Sequence, residues 1–304
     1  MFRPNPSRPN VYAAGPLDRR HDRRGDAAWL AQRLNDPAAR FVPVWRDRNL
    51  VTPDPAPVHW SAAEVRTWLE AGAEPVYLGE IQSTSYFCID LSAHVAEEPV
   101  YGEAAYRDLR AVGPLLRGAD GSILAYARAM AHWHQRHRFC GACGAPTESR
   151  NAGHVRVCTG EGCGIHHFPR TDPAVIMLIH DGGDRVILGR QKAWPPGMHS
   201  VLAGFVEPGE SLEDAVAREV WEEVGIRIDD ICYHSSQPWP FPSSIMLGFW
   251  ARAKSLALKV DPEELEHAMW FDRATLKASP ENDSFRLPRL DSIARHMIDD
   301  WLAL

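Results

Sequence analysis

The chain has 304 residues, 45% of them hydrophobic and 24% charged, with a formal net charge of −7. That length suits two domains with real apolar cores, and the acidic balance argues against a general nucleic-acid binder, which needs clustered Lys and Arg. No apolar run has the length of a transmembrane helix, the start lacks the apolar stretch of a secretory leader, and a cytoplasmic location with no membrane partner is expected.

Residues 1–20, rich in Pro, Arg and Asn, read as a mobile lead-in. Residues 21–136 read as an N-terminal α+β domain. Short apolar runs such as Phe41-Val-Pro-Val-Trp45 and Pro75-Val-Tyr-Leu78 sit between Pro- and Asp-rich turns, and Ser122 to His137 reads as a helix. No catalytic motif falls in this stretch.

Residues 137–169 hold two close cysteine pairs, Cys140-Gly-Ala-Cys143 and Cys158-Thr-Gly-Glu-Gly-Cys163. Two such knuckles can bring four thiolates to one tetrahedral Zn2+, and four sulfurs leave no open position, so this zinc is expected to be structural. The second pair is wider than usual and His166 and His167 follow it, so a histidine replacing one cysteine is the alternative. Cys88 and Cys232 stand alone and read as small core residues. Paired cysteines of this kind fit a reducing compartment better than disulfides do.

Residues 170–304 form the last domain. Ala174-Val-Ile-Met-Leu-Ile179 and Arg185-Val-Ile-Leu-Gly189 read as strands joined across Asp181-Gly-Gly-Asp184. A short acidic helix, a strand near Ile245 to Arg252 and an amphipathic helix from about Leu290 to Leu304 follow. The acidic helix is expected to start at Ser211, where Asp214 completes a capping box, and to end at Gly225. Ala215, Glu219 and Glu223 then share one i, i+4 ridge beside the apolar ridge Val216, Val220, Val224. Carboxylates next to a core-facing row are costly unless a cation joins them, which points to a divalent metal. Further on, Ser236-Gln-Pro-Trp-Pro-Phe-Pro-Ser-Ser244 holds aromatics between prolines, a low-entropy loop that could offer faces to flat bases.

Gly204, Glu210, then Arg218-Glu219-Val-Trp-Glu222-Glu223-Val-Gly225-Ile226 fill every fixed position of the pattern G-x5-E-x7-R-E-U-x-E-E-x-G-U, with U bulky and apolar. This resembles the Nudix hydrolases. With the Ser-Gln-Pro-Trp-Pro-Phe-Pro run beyond it, the cysteine cluster before it, and Phe168-Pro-Arg-Thr-Asp-Pro173 and Val201-Leu-Ala-Gly-Phe205, the chain looks like the NADH pyrophosphatase family. The similarity spans roughly residues 120 to 300 and is weak in the N-terminal third.

The resemblance implies an α+β chain: a Nudix α/β/α sandwich with a mixed β-sheet, preceded by a zinc ribbon and an N-terminal α+β domain. It implies hydrolysis of the pyrophosphate of NADH, and of NAD+, to the nicotinamide mononucleotide and AMP, with removal of NAD caps from RNA 5′ ends as a second activity. It further implies Mg2+ or Mn2+ held by Glu219, Glu223, Glu264 and the carbonyl of Ala203, with Glu222 a further ligand or the general base and Arg218 orienting the glutamates. Phe168, Phe205, Gln237, Pro238, Trp239, Pro240, Phe241, Pro242, Ser243, Ser244 and Ala294 are implied around the dinucleotide, and a homodimer is implied as the assembly. Arg110 is a weaker candidate contact, and Gly153 stands where relatives have a carboxylate. Two rivals remain: a hydrolase of ADP-ribose or diadenosine polyphosphates using the same metal site, and a regulator that binds a nucleotide without cleaving it.

Overall fold

The structure, a computed structural model, describes residues 6–13, 15–116 and 119–304. The chain divides into two compact units, one of residues 15–171 with Trp239–Ser243, the other of residues 6–13, Asp172–Pro238 and Ser244–Leu304.

In the first unit, in chain order, come α1 (Ala27–Leu34), β1 (Arg40–Trp45), β2 (Arg48–Val51), α2 (Ala62–Glu70), β3 (Pro75–Ile81), β4 (Thr84–Asp90), β5 (Ala105–Arg107), α3 (Leu109–Val112) and α4 (Asp120–Arg136). The strands form one sheet in the order β3-β4-β1-β2-β5, in which β1 pairs β4 in parallel and the other neighbours are antiparallel. Phe41, Trp45, Trp60, Tyr77 and Phe87 fill its core, with Trp29, Leu30, Trp68 and Leu69 from α1 and α2 packed against them. After α4 a small antiparallel sheet of β6 (Thr147–Arg150), β7 (Val155–Cys158) and β8 (His166–His167) carries the cysteines.

The second unit is built on β9 (Asp172–His180), β10 (Arg185–Arg190), β11 (Leu202–Phe205), α5 (Leu212–Val224), β12 (Ile228–Trp239), β13 (Ser244–Ala253), β14 (His267–Asp272), α6 (Arg273–Lys277) and α7 (Ile293–Leu302). The sheet runs β12-β13-β9-β10-β14, with β11 also paired to β9; β13 and β9 are parallel, and β11–β9 and β10–β14 are antiparallel. The unbroken apolar run of β9 follows from its covered faces. Val175, Met177 and Ile179 pack against α5, while Ile176 and Leu178 pack against α7, because successive strand side chains point to opposite faces. The result is a helix–sheet–helix sandwich with a mixed sheet.

Of the lead-in, residues 1–5 and 14 lie outside the described residues, and the described part is tied down. From Ser7 to Tyr12 it is hydrogen-bonded into the second unit through Asp300, Ser235, Ser236 and Asp291, and Asp18 exchanges backbone bonds with Glu80 in the first. Its polar side chains find buried partners, which composition alone does not reveal. Among the described residues, no helix is long and apolar enough to cross a membrane.

Candidate functional site

Helix α5 carries the site, and its ends are defined by its sequence. The Ser211 hydroxyl accepts from the Asp214 N–H at 3.1 Å while the Asp214 carboxylate accepts from the Ser211 N–H. Gly225 closes the helix at φ 68°, where its N–H donates to the Trp221 carbonyl. The buried face is Ala215, Val216, Glu219, Val220, Glu223 and Val224, so the two glutamates lie inward with the valines. Glu219 is 8% exposed and Glu223 3%.

Their surroundings differ. The Glu219 carboxylate lies so close under β11 that a Cβ at Gly204 would stand 1.9 Å from its Cδ. Burial raises the pKa of Glu219, and an Arg218 hydrogen bond at 2.9 Å partly offsets this. Among the described residues, Glu223 has no cation beside it. Burial first, then repulsion by Glu219 and Glu264, pushes it up to about 8, against one bond from the backbone of Ala203. Among the described residues its Oε2 is buried without a partner, an uncommon state for a carboxylate oxygen. A cavity of about 130 Å3 opens at this carboxylate, lined also by Gln191, Trp194, Ser200, Ala203 and Leu265.

Glu264 arrives from far along the chain. The Asp261 N–H donates to the Glu223 carbonyl at 3.0 Å and the Lys259 N–H to that of Val224, docking the turn that bears Glu264 onto the end of α5. Glu264 is thereby near enough to act on both buried carboxylates.

Arg218 is fully occupied. Its Nε and Nη2 grip both oxygens of Glu210 at 2.6 and 2.9 Å, Nη1 reaches Glu219 at 2.9 Å and Glu222 at 2.8 Å, and Nη2 also donates to the Phe205 carbonyl at 2.9 Å. A guanidinium has five N–H groups, so none is left for a phosphate. The same grip, with the Glu207 N–H, lowers Glu210 to about 2. Glu222 is exposed and, among the described residues, tethered only by Arg218.

In the ribbon, Cys140, Cys143, Cys158 and Cys163 converge, their sulfurs all within 4.8 Å of one another. Cys140 and Cys163 are 3.9 Å apart, Cys143 and Cys158 3.4 Å. A tetrahedron of ~2.3 Å bonds spaces sulfurs by about 3.8 Å, so the four fit one zinc. Backbone N–H groups of Ala142 and Cys143 draw Cys140 down to about 6. At Cys158 the Gly160 N–H also pulls downward, but burial and bonds with Cys143, Cys163 and Cys140 outweigh it and push the thiol up to about 12. His167 lies outside the group and His166 is exposed; neither joins the four. Among the described residues no other set of ligand side chains gathers this way. Cys88 is buried, its Sγ donating to the Ala127 carbonyl, and Cys232 is half-buried.

The expected dinucleotide residues separate into open and committed groups. Phe205 and Phe168 are 59% and 54% exposed, and Pro238 and Pro242 are also exposed. Gln237 is fully buried. Its Nε2 donates to the carbonyls of Val11 and Asp291, and its Oε1 accepts from the Ile293 N–H, so the amide is spent inside the fold and not held out to a ligand. Ser244 is buried at the start of β13, and Ala294 sits in the core on α7. Trp239 is half-buried, edge-on to Phe241 at 5.0 Å. Phe241 is buried beneath the guanidinium groups of Arg110 and Arg128, at 4.7 and 5.1 Å, and Arg128 donates to the buried Pro240's carbonyl at 2.7 Å; Ser243 is half-buried. Arg110 is thus engaged with the run itself. A side chain at Gly153 would strike Val76 at 2.8 Å, which leaves no room for a carboxylate there. Asn10 and Tyr12, which hold β12 and Asp291, carry no local motif that sequence reading could have found.

Three family descriptions match: "NADH pyrophosphatase-like rudimentary NUDIX domain" over residues 38–133, "NADH pyrophosphatase zinc ribbon domain" over 135–168 and "NUDIX domain" over 170–291. Similar curated proteins include the NAD-capped RNA hydrolase NUDT12 of Macaca fascicularis, 35% identical over 97% of this chain and 74% of that protein. The NAD-capped RNA hydrolase NudC of Mycobacterium bovis is 40% identical over 76% of each. Among solved structures, a NUDIX hydrolase from Nitrosomonas europaea is 24% identical with TM-score 0.40, covering 49% of this chain and 84% of that one.

Proposed function

The chain belongs to the NADH pyrophosphatase family of Nudix hydrolases, and from that premise we propose that it cleaves the pyrophosphate of NADH and NAD+ into the nicotinamide mononucleotide and AMP. NAD-capped RNA 5′ ends present the same bond, and we include their decapping. The observation that carries the reading is the buried, unpartnered oxygen of Glu223 among carboxylates that repel it. Such a group is stable as an anion only beside a cation.

Mg2+ or Mn2+ would be held by the hard carboxylate oxygens of Glu219, Glu223 and Glu264, with the Ala203 carbonyl as a further ligand. When bound, such an ion neutralises pyrophosphate charge and lowers the pKa of a bound water. The chain's own residues do the rest. Arg218 holds Glu219 and Glu222 in fixed orientation. Glu222, exposed at the rim, either accepts the proton of the attacking water or adds a further ligand. As the water oxygen bonds to phosphorus, the bridging P–O bond breaks and its electrons leave with the second phosphate. The exposed rings of Phe205 and Phe168 and the 237–244 run are assigned to the dinucleotide, Gln237 and Ala294 acting from within the fold. The four thiols are assigned a structural zinc. A cytoplasmic homodimer completes the reading.

The test is turnover of NADH, NAD+ and ADP-ribose at equal concentration with Mg2+ or Mn2+, products identified by mass. NADH should give reduced nicotinamide mononucleotide and AMP. Much faster cleavage of ADP-ribose would reassign the substrate.

A further inference from the structure

β12 is the outer strand of its sheet, and its last residues meet an ordering problem. From Pro238 onward every second residue is proline, and proline has no N–H to give a ladder. Backbone pairing in the run that follows therefore lacks every second donor, and a one-residue slip would turn each side chain to the other face. The last fixed point before the prolines is Ser235–Gln237, and the N-terminal segment fixes it. Asn10, 7% exposed, donates from Nδ2 to the Ser236 carbonyl and to the Ser235 hydroxyl, both at 2.9 Å, while its Oδ1 accepts from His296 Nδ1 at 2.8 Å. The Val11 carbonyl takes the Gln237 amide at 2.8 Å, and the Tyr12 hydroxyl donates to Asp291 at 2.8 Å. Ser7 anchors the segment's start, donating to Asp300 at 2.5 Å. A buried amide that only packed would add little over an apolar group of its shape; an amide bonded at every atom specifies position.

We propose that residues 7–12 form a strap whose Asn10, with Gln237, positions the proline-aromatic run for dinucleotide binding, making both of them positioning residues. This rests on the reading that the run takes the dinucleotide. The experiment compares the full chain with Asn10→Ala and with the near-isosteric Asn10→Asp, which keeps the acceptor for His296 and loses both donors. KM and kcat for NADH, melting temperature and amide exchange of residues 234–239 are measured. We expect KM to rise on the order of tenfold with kcat within about twofold, and faster exchange at Ser236 and Gln237. Unchanged KM and exchange in a folded variant would overturn the proposal. So would a joint loss of kcat and melting temperature in both variants, which marks a purely structural tie. If the unaltered protein fails to cleave NADH, the substrate reading falls; the exchange comparison still decides whether the strap fixes the run.

Discussion

Replacing Gly204 with alanine tests the site's geometry most directly. The glycine lies in β11 at a φ that any residue adopts, so an alanine meets no backbone strain. What it meets is Glu219: a Cβ there would lie 1.9 Å from Cδ and 2.0 and 2.1 Å from the two oxygens. Non-bonded carbon atoms settle at about 3.5–4 Å, so the carboxylate must retreat by roughly 1.5–2 Å. That removes it from Arg218 and from the place where it would bind metal. Misplacement by about 1 Å costs on the order of 10²-fold in rate, which is about 2.7 kcal/mol of barrier. Gly204→Ala should therefore lower kcat/KM at least about a hundredfold and weaken Mn2+ binding, with a melting temperature within a few degrees of the parent. Steady-state kinetics with Mn2+ titration reads this out. Near-parental kcat/KM in a folded Gly204→Ala protein would refute the placement of Glu219.

Three other outcomes are expected. Glu223→Gln should abolish hydrolysis while keeping or raising the metal-free melting temperature, because it removes the charge of a buried acid with one unpartnered oxygen; substantial turnover would count against the ligand role. Cys140→Ser should release zinc, measured by elemental analysis, and destabilise the first unit; a stable, active, zinc-free variant would refute the structural role. His134 and His154 are both pushed down to about 4, chiefly by burial. His134 donates to the Gly153 carbonyl and accepts from Arg156, so a second ring proton would break the latter bond. A folded pKa below the unfolded value means the unfolded chain binds more protons between about 6.5 and 4, and stability falls as pH drops through that window. Each histidine should cost about 1–2 kcal/mol between pH 7 and 5, and His154→Gln should flatten part of the melting-temperature slope; an unchanged slope would argue against its burial as neutral imidazole.

The Nudix sandwich and its helix were legible in the chain because their information is local. Ser211, Asp214 and Gly225 mark α5 by side-chain-to-backbone bonds within one turn, and the four-residue period that puts Glu219 and Glu223 on one face beside three valines is a property of the helix itself. The unbroken apolar run of β9 likewise announces a strand covered on both faces. Contacts between segments distant in sequence were decided by the tertiary structure. Glu264 reaches the helix only because Asp261 and Lys259 bond the α5 terminus, and Arg218 is shown to be spent on its neighbours only when all five donors are traced. Gln237 looked like a ligand contact within a proline-aromatic string and proved to be an internal tie, and the described part of the proline-rich start looked loose until Asn10 and Ser7 met buried partners. Periodicity and capping report on neighbours within a few residues; a buried amide's partners are chosen by how sheet and helix close around it, and no spacing in the chain encodes that.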